Sequence, residues 1–315
     1  MDMAETGHFT ALRGTLKLDE SMARHVSWRA GGVAQRAYWP ADIDDLVAFL
    51  KTQRADEPIY FVGLGSNLLV RDGGLSGTVV FPHGCLNHID IEIQSDGSRF
   101  LLAEVGVASP KVARFAARQG MAGAEFLAGV PGTVGGALAM NAGCYGSETW
   151  EFVKNVITVD HHGQLRERDS RDYEIGYRHI VLRQSQGPSS ESRNEEWFLS
   201  ARFHFPDGDR EVAKTRIKDW LTRRIAAQPL DWPNAGSTFR NPQGDHAARL
   251  IESCRLKGFT IGDAQVSEKH ANFIINLGHA TAADIEALIN HMHETVLADT
   301  GIDLVQEVRI VGEDK

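Results

Sequence analysis

Cysteine is scarce: Cys85, Cys144 and Cys254 are the only three in 315 residues. Their odd number, wide spacing and lack of a CxxC pair exclude a disulfide framework and a structural zinc site, and they fit a reducing, cytoplasmic setting. Apolar runs are short as well. None approaches the roughly 20 residues that span a bilayer. The opening MDMAETGHFTALRG lacks the basic-then-apolar order of a signal peptide, so neither membrane insertion nor export is expected. Basic residues are outnumbered, 33 Lys and Arg against 42 Asp and Glu, for a net charge of -9. That balance argues against non-specific nucleic-acid binding, which needs a basic face to neutralise phosphates. The 13 histidines include no HExxH. His161 and His162 sit in a turn, and His291 and His293 are two apart on a helix and point in different directions, so no metal site is expected. A GxSxG elbow is also missing, which leaves a serine hydrolase without support.

What is present is a globular composition, 42% apolar and 24% charged, at a length that calls for two or three domains. IDDLVAFLKTQ places Ile43, Leu46, Val47 and Leu50 on one helical face. PIYFVGLG and GTVVFP read as buried strands, and HIDIEIQ with RFLLAEVG as a hairpin closed by Ser-Asp-Gly-Ser. SPKVARFAARQG reads as a helix with Ser109 as N-cap, Pro110 at the first position and Gly120 past the end. A second hairpin follows from FVKNVITVD and QLRERD, and WFLSARFHF alternates cleanly as a strand. The polar, serine-rich segment Arg183–Glu196 reads as an exposed, mobile loop. PDGD at Pro206–Asp209 is the best boundary. Beyond it come a helix from EVAKTRIKDWLTRRIAA, the loop AGSTFRNP, a strand in ANFIINLG, a capped helix from TAADIEALINHMHETVLADTG and a closing strand Asp303–Gly312. The order is α+β rather than a regular βαβ wind.

Two glycine-rich stretches stand out. The strand PIYFV runs into Gly63, Leu64, Gly65, Ser66 and Asn67, where backbone N–H groups can form a phosphate-binding nest, or simply a tight turn. The stretch GVPGTVGGALAMNAGCYGSE (Gly129–Glu148) must either turn sharply or let something approach its backbone. Its small residues Ala137, Ala139, Ala142 and Gly143 would let a flat ring lie against the chain. A glycine loop that only packs on a neighbouring strand is the competing reading.

Several polar residues lack an obvious structural role. Ser237 follows a glycine in a loop with Arg240 and Asn241, and it can present a hydroxyl or cap a turn. Arg178, in Tyr177-Arg178-His179, can hold a carboxylate bidentately or lie in solvent. On the last strand Val305, Glu307, Arg309 and Val311 share a face, so Glu307 alternates with apolar groups. A buried carboxylate needs a partner or a raised pKa, and Arg309 is the obvious neighbour.

Six stretches, in this order, resemble a known family: FVGLGSNLLVRDGGLSGTVV, AGAEFLAGVPGTVGGALAMNAGCYGSE, the YR of IGYRHI, PNAGSTFRNP, AARLIESCRLKGFTIGDAQVSEKHANFIIN and LVQEVRIVGE. They are similar to the UDP-N-acetylenolpyruvoylglucosamine reductases, NADPH-dependent flavoenzymes of bacterial peptidoglycan synthesis. The resemblance implies an FAD-binding fold of the vanillyl-alcohol-oxidase type in two subdomains, residues 1–86 and 87–208. It adds an α+β substrate-binding domain, 209–302, and a final strand, 303–315, carrying Glu307. FAD contacts implied are Phe61, Val62, Gly63, Leu64, Gly65, Ser66 and Asn67, then Gly129, Val130, Pro131, Gly132, Thr133, Asn141 and Ala142. Asn67 stands where FAD-tethering relatives often carry a histidine, which agrees with non-covalent binding. Arg178, Ser237 and Glu307 are the implied catalytic residues. Tyr177, Arg224, Arg240 and Asn241, with Arg223, are candidate contacts for the substrate, UDP-N-acetylglucosamine enolpyruvate. A cytoplasmic monomer is expected. Ser237 and Glu307 lie about 70 residues apart and no tyrosine follows Arg178 before the next strand, as in the family's second type, which lacks a tyrosine loop. An FAD-dependent alcohol or sugar oxidase on the same scaffold, and a non-catalytic flavin- or nucleotide-sugar-binding protein, remain open alternatives.

Overall fold

Alternating and helical apolar patterns build the first part of the chain in the computed structural model, which describes residues 12–183 and 195–315. The expected serine-rich loop therefore lies, apart from its ends, outside the described residues. β1 (Thr15–Ser21) pairs antiparallel with β2 (Val33–Trp39). α1 (Ile43–Lys51) starts where the Asp42 carboxylate accepts the Asp45 N–H at 2.9 Å, and it buries Leu46, Phe49 and Leu50. β3 (Ile59–Phe61), β4 (Leu68–Val70) and β5 (Leu75–Val80) follow. The first sheet has the order β1-β2-β5-β3, with β5 parallel to both β2 and β3.

β6 (Ile89–Ile93) and β7 (Arg99–Glu104) form the expected hairpin. α2 (Ser109–Arg118), α3 (Val134–Ala139) and the short pair β8 (Gly143–Cys144) and β9 (Ser147–Glu148) lead to β10 (Val153–Asp160) and β11 (Leu165–Asp169). A hairpin of β12 (Tyr173–Gly176) and β13 (His179–Leu182) precedes β14 (Glu196–Phe203). The second sheet, β11-β10-β14-β7-β6, is antiparallel throughout. Leu101, Val112, Leu138, Leu199 and Phe203 pack it and its helices into the largest core. Each such side chain contributes roughly 1.5–3 kcal/mol by leaving water.

α4 (Arg210–Ala227) is capped by Asp209, whose carboxylate accepts two backbone N–H groups. α5 (Ala247–Ser253), the sheet of β15 (Thr260–Ile261), β16 (Ala264–Val266) and β17 (Ile274–Asn276), and α6 (Ala282–Thr300) make a further core. A Thr281–Asp284 capping box opens α6 and Gly301 closes it. Trp28 crosses from the first part into this core; its indole N–H donates to the Ile274 carbonyl at 2.8 Å. β18 (Arg309–Val311) returns to pair in parallel with β4.

Three expectations need correction. Ser109 is not an N-cap: Ala108 is, because the Ser109 N–H donates to the Gly132 carbonyl and draws Ser109 into the buried first turn. The second glycine-rich stretch contains a helix, α3, started by Thr133 as N-cap. The closing strand spans only Arg309–Val311, since residues 305–308 bond to the loop around Phe239 before β4 becomes the neighbour.

Candidate functional site

A cleft of about 1440 Å³ runs between the sheets and the C-terminal core, above the roughly 300–1,000 Å³ of a drug-sized site. Both glycine loops line it, from Phe61 to Asn67 and from Gly129 to Thr133, with Ala142. They touch: the Ser66 hydroxyl donates to the Pro131 carbonyl at 2.9 Å. A Cβ on Gly63 would lie 2.5 Å from the Thr133 hydroxyl. Gly129 is bare for a different reason, because a Cβ there would meet the Tyr145 ring at 2.7 Å and the Cys144 sulfur at 2.8 Å. Gly136 is the informative position. It lines the cleft, and a Cβ there would meet no protein atom within 4 Å. The small residues α3 turns toward the cleft, and the apolar side chains of Ile180, Leu182, Trp197 and Phe198 that also line it, fit a large, flat, partly apolar group with a phosphate-bearing chain. FAD has those parts.

Three distant segments meet at the cleft's polar part. Arg178 sits in the turn between β12 and β13 with φ +55. Its Nε donates to Glu307 Oε1 at 2.9 Å across 129 residues of sequence, and both side chains are 15% exposed. The guanidinium also donates to the carbonyls of Asn141 and Gly143. Glu307, expected beside Arg309, is paired with Arg178 instead; Arg309 is exposed and lines the same cleft without bonding to Glu307, and Val305 is exposed outside it. Burial pushes the Glu307 carboxyl above its ordinary range, against the lowering pull of Arg178 and Arg240. Ser237 reaches the same cleft. It is held in register by its neighbour, since the Thr238 carbonyl accepts the Glu307 N–H at 2.8 Å. No partner for the Ser237 hydroxyl is found among the described residues. Asn67 closes the circle: its amide donates to the Glu307 carbonyl at 3.1 Å, and its own carbonyl accepts the Arg309 N–H.

Other candidates are placed less directly. Asn141 is buried and does not line the cleft; its amide bonds to Glu148, Gly176 and Trp150. Tyr177 is exposed, with the Arg178 guanidinium 4.9 Å from its ring. Arg240 donates to the Arg178 carbonyl, and Asn241 accepts the Ala247 N–H, so both buttress rather than line. Arg223 does not line the cleft; it lines a separate groove along α4 with Arg216 and Trp220. Arg224 does line it, bonded through Nε to Gln228 and with no ion pair among the described residues. Burial loosens its proton, with Cys144 and Tyr145 opposing, yet a guanidinium stays cationic. The Cys144 thiol, whose S–H donates to the Phe126 carbonyl, is pushed up to about 11 by burial, which makes it unreactive. No group of three or more residues able to hold a metal occurs among the described residues. Sequence reasoning missed the wall formed by Ile180 and Leu182, although their alternation on β13 directly after Arg178 marks one face of that strand.

The chain is 54% identical to the UDP-N-acetylenolpyruvoylglucosamine reductase of Thiobacillus denitrificans, over 98% of this chain and 95% of that protein. It belongs to the UDP-N-acetylenolpyruvoylglucosamine reductase family. The reductase of the same name from Legionella pneumophila is 48% identical over 98% of this chain and 96% of its own. The family description for the C-terminal domain of these reductases matches residues 228–311, and that of an FAD binding domain matches residues 34–168. The crystal structure of the reductase from Thermus caldophilus superposes with a TM-score of 0.75 at 28% identity, covering 95% of this chain and 99% of that one. The reductase fold is therefore α+β, with an FAD-binding module followed by an α+β C-terminal domain.

Proposed function

We propose that the chain reduces the enolpyruvyl group of UDP-N-acetylglucosamine enolpyruvate to the lactyl ether of UDP-N-acetylmuramate, with NADPH as reductant. The observation that carries this reading is the Arg178–Glu307 pair on the wall of a cleft shared with Ser237 and both glycine loops. The loops Phe61–Asn67 and Gly129–Thr133 would hold FAD non-covalently, and the flavin would supply hydride transfer from NADPH to the terminal carbon of the enolpyruvyl double bond. The chain's residues manage the charge and the proton. Arg178 faces the substrate carboxylate, where negative charge grows as hydride arrives, and Glu307 adds a hydrogen bond when protonated, the form its burial favours. Ser237 donates its proton to the α carbon, which completes the saturated ether, and regains one from water. Arg224 offers its guanidinium to the substrate diphosphate.

We further read residues 1–86 and 87–208 as the two FAD-binding subdomains, 209–302 as the substrate domain and 303–315 as the strand that brings in Glu307. Membership of the type without a tyrosine loop is supported by the short Ser237–Glu307 interval. On the same reading we take the protein to be a cytoplasmic monomer serving cell-wall synthesis and through it cell shape and division. No helix among the described residues is long and apolar enough to cross a membrane, and the charge of -9 disfavours nucleic acid. The test is Arg178→Ala under anaerobic conditions. NADPH should still bleach the flavin, while return of its colour on adding the enolpyruvyl sugar should slow by at least ~100-fold. Full-speed return would remove Arg178 from the chemistry.

A further inference from the structure

Arg178 holds a left-handed φ of +55 in the two-residue turn between β12 and β13, a conformation an arginine keeps only when its surroundings enforce it. Much of the enforcement comes from one buried side chain. The Asn141 amide nitrogen donates to the Gly176 carbonyl at 3.1 Å, where the turn begins, and to the Glu148 carboxylate at 2.7 Å. Its amide oxygen accepts the Trp150 N–H at 3.0 Å. Its backbone carbonyl accepts the Arg178 guanidinium at 3.3 Å. Asn141 therefore grips both the backbone that starts the turn and the side chain the turn presents. It is itself left-handed, φ +41, which asparagine tolerates better than most residues. An aspartate would set a second carboxylate against Glu148 and lose both donations.

We propose that Asn141 is a positioning residue: its amide, braced by Glu148, locks the Gly176–Arg178 turn so that the guanidinium meets Glu307 and the substrate carboxylate. The inference rests on the reductase reading and assigns Asn141 to Arg178 rather than to FAD. With the clamp absent, Arg178 would still be tethered to Glu307 and Gly143 but would no longer be held at one angle. A small misplacement of such a group can cost on the order of 100-fold in rate.

The test uses Asn141→Gly in the holoenzyme, since glycine keeps the left-handed backbone and the carbonyl that Arg178 uses while deleting only the amide. FAD affinity by fluorescence titration and the rate of flavin bleaching by NADPH should be unchanged. Recolouring by UDP-N-acetylglucosamine enolpyruvate should slow on the order of 100-fold. In an Arg178→Ala background the same change should cost almost nothing more, because the two residues act as one unit. Equal losses in both backgrounds, weakened FAD binding or full-rate recolouring would each overturn the proposal. If Asn141→Gly does not fold, Glu148→Ala, which removes the acceptor, carries the test: slower recolouring with normal bleaching supports the brace, and normal recolouring refutes it. A wild-type flavin that NADPH bleaches and the enolpyruvyl sugar leaves bleached would instead refute the reductase reading.

Discussion

The glycine loops Gly63–Asn67 and Gly129–Gly136 meet through one short side chain, the Ser66 hydroxyl on the Pro131 carbonyl, whereas Arg178, Ser237 and Glu307 come together through an ion pair and the Thr238 carbonyl. One wall of the cleft is thus shaped by the absence of side chains and the other by their convergence from three segments. The first kind of wall is written locally, in a run of residues that cannot be anything but bare. The second depends on the whole fold, because β18 must return to β4 before Glu307 can face Arg178. The bare wall also divides internally. Most of its glycines give way to other protein atoms, and Gly136 gives way to nothing in the chain.

That contrast can be broken at Gly65, where φ is +58 and a Cβ would collide with the His25 carbonyl and approach the Val26 Cα at 2.6 Å. Gly65→Ala should destabilise the apoprotein by about 2–4 kcal/mol, from a left-handed alanine and overpacking together. Urea unfolding measures it, and an unchanged midpoint would mean the loop relaxes freely.

Gly136→Ala should act with opposite signs on fold and cofactor. Alanine inside α3 should stabilise the apoprotein by about 0.5–1 kcal/mol. The added methyl group in the cleft should weaken FAD binding ~10-fold or more. Thermal melts of the apoprotein and a fluorescence titration read the two effects separately. Parallel changes, both up or both down, would show that Gly136 is a packing glycine like Gly129.

The smallest effect concerns the convergent wall. Burial raises the Glu307 carboxyl in the folded chain above its unfolded value. Between those values the folded form binds more proton than the unfolded, so stability from this group is complete below the ordinary carboxyl range. It declines as pH rises through the folded value. Relative to wild type, Glu307→Gln should therefore gain stability from about pH 4 upward. Denaturant midpoints across that range check it, and a constant difference would mean that Arg178 cancels the burial.

Much of this was legible in the sequence because it was local. The capped TAADIEALINHMHETVLADTG announces its helix and Gly301 ends it, the apolar face of Ile43, Leu46 and Leu50 marks another, and the alternation in Trp197–Phe205 marks a central strand. The glycine loops were legible by composition, and Arg178, Ser237 and Glu307, which the structure brings to one cleft, stood out by motif. What was not legible depends on partners far along the chain. Glu307 looked like the neighbour of Arg309 because strand periodicity knows nothing of a turn 129 residues away. Ser109 looked like a cap because its N–H gives no sign in sequence that Gly132 will accept it. Asn141 looked like a cofactor contact because it sits inside a cofactor motif, yet three polar partners hold it behind the wall.

The central claim is that this cleft passes hydride from NADPH to an enolpyruvyl group and that Ser237 completes the reaction with a proton. The visible spectrum of the flavin, followed anaerobically in wild type and Ser237→Ala, tests it most directly. In both proteins NADPH should bleach the band; UDP-N-acetylglucosamine enolpyruvate should restore it in wild type and yield UDP-N-acetylmuramate, while Ser237→Ala stays bleached or recolours at least ~100-fold more slowly. A wild-type flavin that ignores the enolpyruvyl sugar, or a Ser237→Ala protein that turns over normally, would contradict the account.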